Sequence, residues 1–307
     1  MNKPETISLY EFFQKIPNEE AARQYFESKH WQGKPVCGHC SSENVTECKN
    51  HKPMPYRCRD CRKHFSVRTG TVLAESRLPL HKWLMAIYMM TTARKGIPTT
   101  QMARELGVTQ KTAWFLAQRI RETWMAERGN GSMGPHVQVD ETYIGGKEIN
   151  KHVRNKLHAG RATIGEQDVI GARDQDGTVV ARPISNTTAT ILKGYICEHV
   201  APGSIVVTNE HYSYKGLSGY RHMIVSHSAG EYIRGMAHTN GIESFWAMLK
   251  RGYYGIYRYM SQKHLHRYIN EFAFRHNISN LSTMYFISQT AQRVTGKRLT
   301  YKELINA

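Results

Sequence analysis

Apolar residues recur at helical spacing in the first third of the chain. Residues 7–30 carry an apolar side chain at about every third or fourth position, and Asn18 is placed to cap a helix there. Residues 80–92 read LHKWLMAIYMMTT and are apolar around most of a helical circumference. These patterns predict a short helical lead-in and, further on, a buried helix.

Two more helical patterns, at residues 99–106 and 109–121, are separated only by Gly107 and Val108 and predict a helix-turn-helix. Thr109 is placed to cap the second helix. We expect this helix to contact DNA through outward-facing polar side chains of the types that bind bases and phosphates. These side chains are Gln110, Lys111, Gln118 and Arg119. The alternative interpretation is an ordinary solvated helical face.

The pattern changes after a glycine-rich linker at residues 127–136, where short β-branched runs begin. The predicted strands are residues 137–144, 168–172, 178–184, 204–208 and 223–226. The predicted helices are residues 189–199, 241–250, 262–276 and 282–294. We therefore predict an α+β multidomain protein whose C-terminal half contains a mixed α/β domain.

Composition narrows the class of partner. The 307 residues include 42 Lys and Arg against 25 Asp and Glu, which gives a net charge of +17 and favours a polyanionic partner. A hydrophobic fraction of 40% is typical of a globular protein and excludes a disordered basic tail. The chain shows neither a long apolar run nor a secretory signal, so we expect a cytoplasmic protein that does not enter a membrane.

Four of the six cysteines are paired in two C-x-x-C turns. Cys37 and Cys40 form the first pair, and Cys58 and Cys61 form the second. Two such pairs are typical of a tetrahedral Zn²⁺ site, and four thiolates leave no open position for substrate. We therefore predict a structural zinc ribbon. The alternative, four reduced thiols in a core, conflicts with the polar, turn-forming neighbours.

Two acids and one amide are expected at neighbouring ends of secondary structure. Asp140 lies in the first predicted strand, Asn209 follows the strand at residues 204–208, and Glu243 lies in the first turns of a helix. Carboxylates at these places are suited to hold two divalent metal ions for attack on a phosphodiester. The spacing alone is weak support, since most carboxylates are solvated surface groups.

The surrounding residues resemble a known family. They are the zinc ribbon, the helix-turn-helix and two segments, VDETYIGGK at residues 139–147 and HTNGIESFWAMLKR at residues 238–251. Together they resemble the IS1595 group of insertion-sequence transposases, which carry an ISXO2-like catalytic domain. The resemblance implies an RNase H-like fold and a DDE site that uses two Mg²⁺ ions.

The same resemblance implies that Asp140 is the first acid of the site and Glu243 the last. The middle acid is expected in a Thr-Asp-Glu context, where this chain reads Thr208-Asn209-Glu210. Asn209 brings no negative charge, so we expect weak metal binding and impaired catalysis. Glu210 is a poor substitute because adjacent strand residues point to opposite faces. Asn209 is either a natural change or a deliberate inactivation.

Further basic and aromatic residues are candidates for DNA contact. A basic segment at residues 147–166 is either a solvated loop or a flap over DNA, and Trp246 either stacks on an unpaired base or packs in the core. The candidates in these regions are Lys147, Lys151, Arg154, Lys156, Trp246, Lys250 and Arg251.

These interpretations predict a transposase that binds the inverted-repeat ends of an insertion sequence and target DNA, as a homodimer or larger assembly, on the bacterial nucleoid. One alternative is an inactive, sequence-specific DNA-binding protein derived from a transposase, and another is a stand-alone nuclease. The predicted division of the chain is a helical lead-in at 1–30, a zinc ribbon at 31–70, a helical DNA-binding domain at 78–126, an RNase H-like domain at 135–280 and a helical tail at 281–307.

Overall fold

The computed structural model describes residues 5–48, 50–125, 131–145, 166–225 and 238–306. The chain forms two compact units. The first comprises Met1–Trp124 and Ile278–Ala307, and the second comprises Met125–Asn277. In the described ranges, no helix is both long and apolar enough to cross a membrane.

The first unit begins with helices and a small antiparallel sheet. Its elements in the N-terminal part of the chain are α1 (Leu9–Lys15), α2 (Glu19–Trp31), β1 (Val45–Glu47), β2 (Tyr56–Cys58), β3 (His64–Phe65), α3 (Leu80–Thr92), α4 (Thr99–Leu106) and α5 (Gln110–Thr123). Strand β2 lies between β1 and β3 and pairs antiparallel with both.

Local capping explains where several of these helices begin. The Asn18 side chain accepts from the Ala21 N–H at the start of α2, and the Thr109 side chain accepts from the Thr112 N–H at the start of α5. Both caps were predicted from the sequence and are confirmed. Helix α3 is buried over most of its length, also as predicted.

The second unit is built on a five-stranded sheet. Its elements are β4 (His136–Ile144), β5 (Gln167–Asp174), β6 (Val179–Pro183), α6 (Ala189–His199), β7 (Ile205–Thr208), β8 (Arg221–Ile224), α7 (Asn240–Gly252) and α8 (Gln262–Asn277). The chain then returns to the first unit through α9 (Thr283–Gln292) and α10 (Tyr301–Asn306).

The strand order is β6-β5-β4-β7-β8, with β4 in the centre. Strands β4, β5 and β6 pair antiparallel, whereas β7 runs parallel to both β4 and β8. The mixed α/β sheet predicted from the sequence is therefore confirmed. Strand β8 ends at Ile224, slightly before the predicted end.

Helices cover both faces of this sheet. Ile242, Phe245 and Trp246 of α7 pack with residues of α8 on one face. Leu192 and Tyr195 of α6 pack on the other face. Because side chains alternate along β4, Asp140 points to the α7 face and Glu141 to the α6 face.

Candidate active site and zinc site

Residue 209 lies directly beside the two consecutive acids of β4. Strand β7 pairs with β4 as far as Gln138↔Val207, and the chain leaves the sheet after Thr208. The Asn209 Nδ2 atom then donates to Asp140 Oδ1 and to Glu141 Oε1, each at 3.1 Å. The structure thus brings Asp140 and Asn209 together, as predicted.

The orientation of the Asn209 amide is determined by a backbone group. Its Oδ1 atom accepts a hydrogen bond of 3.0 Å from the His211 N–H. A backbone N–H can only donate, so the oxygen must face His211 and the NH₂ group must face the acids. In this arrangement Asn209 presents a donor, not a metal-binding oxygen, to Asp140.

Trp246 holds the Asp140 carboxylate, and Gly171 leaves room for its indole ring. Trp246 Nε1 donates to Asp140 Oδ2 at 3.1 Å. The indole lies over Gly171, the residue of β5 that pairs with Asp140, where only the absence of a Cβ leaves room for the ring. Trp246 is 4% exposed. The core interpretation of this residue is therefore confirmed, and its ring is not available to stack on a base.

Glu243 lies in the first turn of α7. The Thr239 hydroxyl donates to Glu243 Oε1 at 2.6 Å, and the Ile242 N–H donates to Gln138 Oε1 at 3.0 Å. The second bond ties the beginning of α7 to β4, the strand of Asp140. These contacts hold Glu243 at the beginning of α7, next to β4.

The electrostatics of the site are those of crowded acids. Burial, followed by the charge of Glu141, raises the pKa of Asp140 to about 7, and the charge of Glu243 acts in the same direction. The oxygens of Asp140, Glu141 and Glu243 do not all lie within 4.8 Å of one another. In this arrangement the three acids are therefore too far apart to bind one ion together.

Glu141 is the residue that the sequence analysis missed. Its Oε2 atom accepts a hydrogen bond of 2.7 Å from the hydroxyl of Tyr214, which is completely buried. Burial raises the pKa of Tyr214 well above its ordinary value, so the hydroxyl keeps its proton and donates. The only signal in the sequence was the Asp-Glu pair itself, and strand alternation argued against a shared site.

The four paired cysteines form a second candidate metal site. Their sulfur atoms all lie within 4.8 Å of one another, with Cys37 Sγ and Cys61 Sγ at 3.7 Å and Cys40 Sγ and Cys58 Sγ at 3.6 Å. A tetrahedral Zn²⁺ with bonds of about 2.3 Å separates its ligands by about 3.8 Å, so the thiols fit this ion. In the described part of the chain, no other His, Cys, Asp and Glu side chains form such a cluster.

The predicted DNA-contacting residues of α5 divide into two pairs. Gln110 and Lys111 are exposed, as expected. Gln118 and Arg119 are buried, so the expectation that they face outward is wrong. The Arg119 guanidinium donates to Ala74 O at 2.6 Å.

The second half of α5 is buried on every side, which a one-faced helical pattern does not anticipate. The Arg119 guanidinium lies over the Trp83 ring, and Trp124, just after the helix, contacts Phe286 of α9. Burial lowers the pKa of Arg119 to about 10. Packing against other parts of the first unit therefore overrides the sequence pattern.

The other DNA-contact candidates lie in different surroundings. In the last turn of α7, Lys250 is half-buried and Arg251 is exposed. Lys147, Lys151, Arg154 and Lys156 lie outside the described residues.

Comparison with known proteins finds two matching domains in this chain. Residues 132–277 match the ISXO2-like transposase domain, and residues 17–64 match the transposase zinc-ribbon domain. Over 261 residues the chain is 27% identical to an uncharacterized protein in transposable element ISH50 of Halobacterium salinarum. The matched region covers 81% of this chain and 87% of that protein.

Both matched domains are those of transposases, the proteins that move DNA elements, and they imply that this chain binds DNA. The two matched segments together cover more than half of its length. The chain belongs to the IS1595 group of insertion-sequence transposases.

Proposed function

We propose that this protein binds the ends of an insertion sequence and belongs to the enzymes that cleave and rejoin DNA by metal-dependent phosphoryl transfer. The observation that carries the proposal is the contact between Asp140 and residue 209 just beyond β7, with Glu243 in the first turn of α7, whose beginning is bound to β4. The match to the ISXO2-like transposase domain supports the same assignment.

The strand order supports an RNase H-like fold for the second unit. Three antiparallel strands are followed in the chain by two strands that extend the sheet in parallel from β4. In such a sheet the carboxyl end of the central strand and that of its parallel neighbour lie side by side. Here β7 pairs only with the first three residues of β4, so Asn209, just after β7, lies beside Asp140 in the middle of β4.

Asp140 and Glu243 are the proposed ligands of catalytic Mg²⁺, whose preference for carboxylate oxygen they satisfy. When bound, the ions activate a water or a 3′-hydroxyl and stabilise charge on the leaving oxygen. The protein's own part is orientation. Trp246 fixes one oxygen of Asp140, and Thr239 fixes one oxygen of Glu243.

Asn209 impairs this site. Its NH₂ group satisfies Asp140 and Glu141 without a metal ion and turns a donor toward the place where a ligand is needed. With Asp at this position, one oxygen would keep the bond from the His211 N–H and the other would face the acids. Three carboxylates would then require a cation.

The proposed DNA partners are inverted-repeat ends and target duplex on the nucleoid. We assign recognition of the ends to the zinc ribbon and to α4 and α5 as a helix-turn-helix, with Gln110 and Lys111 as the exposed candidates on α5. Arg251, and Lys250 beside it, remain candidates for DNA contact in the last turn of α7. Because two ends must be brought together for joining, a homodimer or larger assembly is expected on DNA.

A nicking and strand-transfer assay with Mg²⁺ tests the proposal. The present chain should bind element ends yet cleave them very poorly, Asn209→Asp should restore cleavage, and the double variant Asn209→Asp, Glu243→Gln should again be inactive. Equal cleavage by the present chain and the Asn209→Asp variant would refute the assigned site. No cleavage by either would favour the alternative function, an inactive DNA-binding protein derived from a transposase, which Asn209 itself supports.

A further inference from the structure

The Asn209 amide nitrogen occupies a position suited to a cation. It lies 3.1 Å from one oxygen of Asp140 and 3.1 Å from one oxygen of Glu141, so an electropositive NH₂ group bridges two carboxylates from consecutive residues. We propose that Glu141 is a metal ligand and that, with Asp140, it holds the divalent cation that binds next to residue 209. This inference rests on the proposed metal-dependent function and adds a ligand to it.

The pairing between β4 and β7 stops before residue 209, which explains how Asp140 and Glu141 both contact the Asn209 amide nitrogen. Along a regular strand, Asp140 and Glu141 point to opposite faces. The last β4–β7 pair is Gln138↔Val207, and Asn209 lies beyond it, beside the edge of β4 that β7 no longer covers. A group at position 209 therefore contacts side chains from both faces.

Glu141 is held as an oriented group. The buried Tyr214 hydroxyl donates to its Oε2 at 2.7 Å, which leaves Oε1 directed at residue 209. Asp140 is held in the same way, since Trp246 binds its Oδ2 and leaves Oδ1 directed at residue 209. Each carboxylate thus has one oxygen fixed by a neutral donor and one oxygen that faces the shared position.

The charge of this pair is not balanced by the parts of the chain that the structure describes. There, the side-chain donors to Asp140 and Glu141 are the amide of Asn209, the indole of Trp246 and the phenol of Tyr214, all of them neutral. Partly buried carboxylates without a counter-charge are costly, and a divalent cation removes that cost. Glu210 does not share this environment, because its side chain is exposed to solvent.

Binding of Mn²⁺ to zinc-loaded, full-length protein tests the proposal without any catalytic step. Free Mn²⁺ is followed by electron paramagnetic resonance for Asn209→Asp and for the same variant with either Glu141→Gln or Glu210→Gln. Removing a group that only orients a metal ligand weakens metal binding by about 10- to 100-fold. Because Glu141→Gln removes a ligand itself, it should raise the Mn²⁺ dissociation constant by at least about tenfold. Glu210→Gln should leave the dissociation constant within about twofold of the parent. Unchanged affinity in the Glu141→Gln variant would overturn the proposal.

A second variant tests the role of Glu141 if the Glu141→Gln protein fails to fold. Tyr214→Phe retains the Glu141 charge and removes only the hydroxyl that orients it. We expect weaker Mn²⁺ binding than in the Asn209→Asp parent but stronger binding than without Glu141. Affinity equal to that of the parent would contradict the proposed role of Glu141.

The two proposals fail in different ways. If Asn209→Asp binds Mn²⁺ through Glu141 but does not cleave DNA, the proposed function is wrong and the ligand assignment stands. If Asn209→Asp cleaves DNA and Glu141→Gln leaves Mn²⁺ binding intact, only the assignment of Glu141 is wrong.

Discussion

Gly171 is a position at which a single methyl group should disturb the candidate active site. A Cβ at this position would lie 2.7 Å from Cη2 and 2.8 Å from Cζ2 of Trp246, and 3.2 Å from Cδ1 of Ile242. Carbon atoms in contact normally lie about 3.5–4.0 Å apart, so the indole must move by several tenths of an ångström or more. Gly171→Ala therefore forces a change in the packing between α7 and the sheet.

The cost has two parts. Overpacking of a core by one methyl group costs about 1–3 kcal/mol. The indole also donates to Asp140 at 3.1 Å, and a ring shift that breaks this bond costs up to about 1.5–3 kcal/mol more if the carboxylate is charged. In a domain of this size, each kcal/mol lowers the melting temperature by about 2–4 °C, so a loss of several degrees is expected.

Scanning calorimetry of the full chain measures the effect, with Gly194→Ala as the matched control. Gly194 lies in α6, where an added Cβ would have no atom within 4 Å, and alanine is favoured over glycine in a helix by about 0.8–1.0 kcal/mol. The two substitutions should therefore shift stability in opposite directions. In a Trp246→Phe background, which removes the two closest ring atoms, Gly171→Ala should cost less. An unchanged or raised melting temperature for Gly171→Ala, or an equal cost in both backgrounds, would refute this reasoning.

Two further predictions concern the zinc site and Asp140. Elemental analysis should find one zinc per chain. Zinc should be lost in Cys58→Ser and retained in Cys197→Ser, because Cys197 is exposed and lies outside the cluster. Full retention of zinc in Cys58→Ser would contradict the four-thiolate site. Because the folded pKa of Asp140 is raised from 3.8 to about 7, its contribution to stability is full below its unfolded pKa and is lost as pH rises through about 7. Urea unfolding of the metal-free protein from about pH 5 to 8 should thus show a decline that Asp140→Asn reduces. Identical pH profiles for the two proteins would rule out the shift.

Several elements of the fold could be predicted from sequence because they depend on neighbours in the chain. Asn18 and Thr109 cap helices through N–H groups three residues further on. Helix α3 is apolar around its circumference and is buried accordingly. The cysteine pairs meet because each pair spans one tight turn, and the three-stranded sheet joins the two turns.

Tertiary structure decided what depends on residues far apart in sequence. Arg119 is of a type that binds DNA, yet it lies over Trp83 and donates to Ala74, because helix burial is set by the segments that surround it. The sequence predicted that Asp140 and Asn209 would meet. It did not predict that the His211 N–H turns the Asn209 amide nitrogen toward the acids, or that Glu141 joins them. Asp140 and Glu141 still point to opposite faces, but residue 209 contacts both because the ladder between β4 and β7 ends before it.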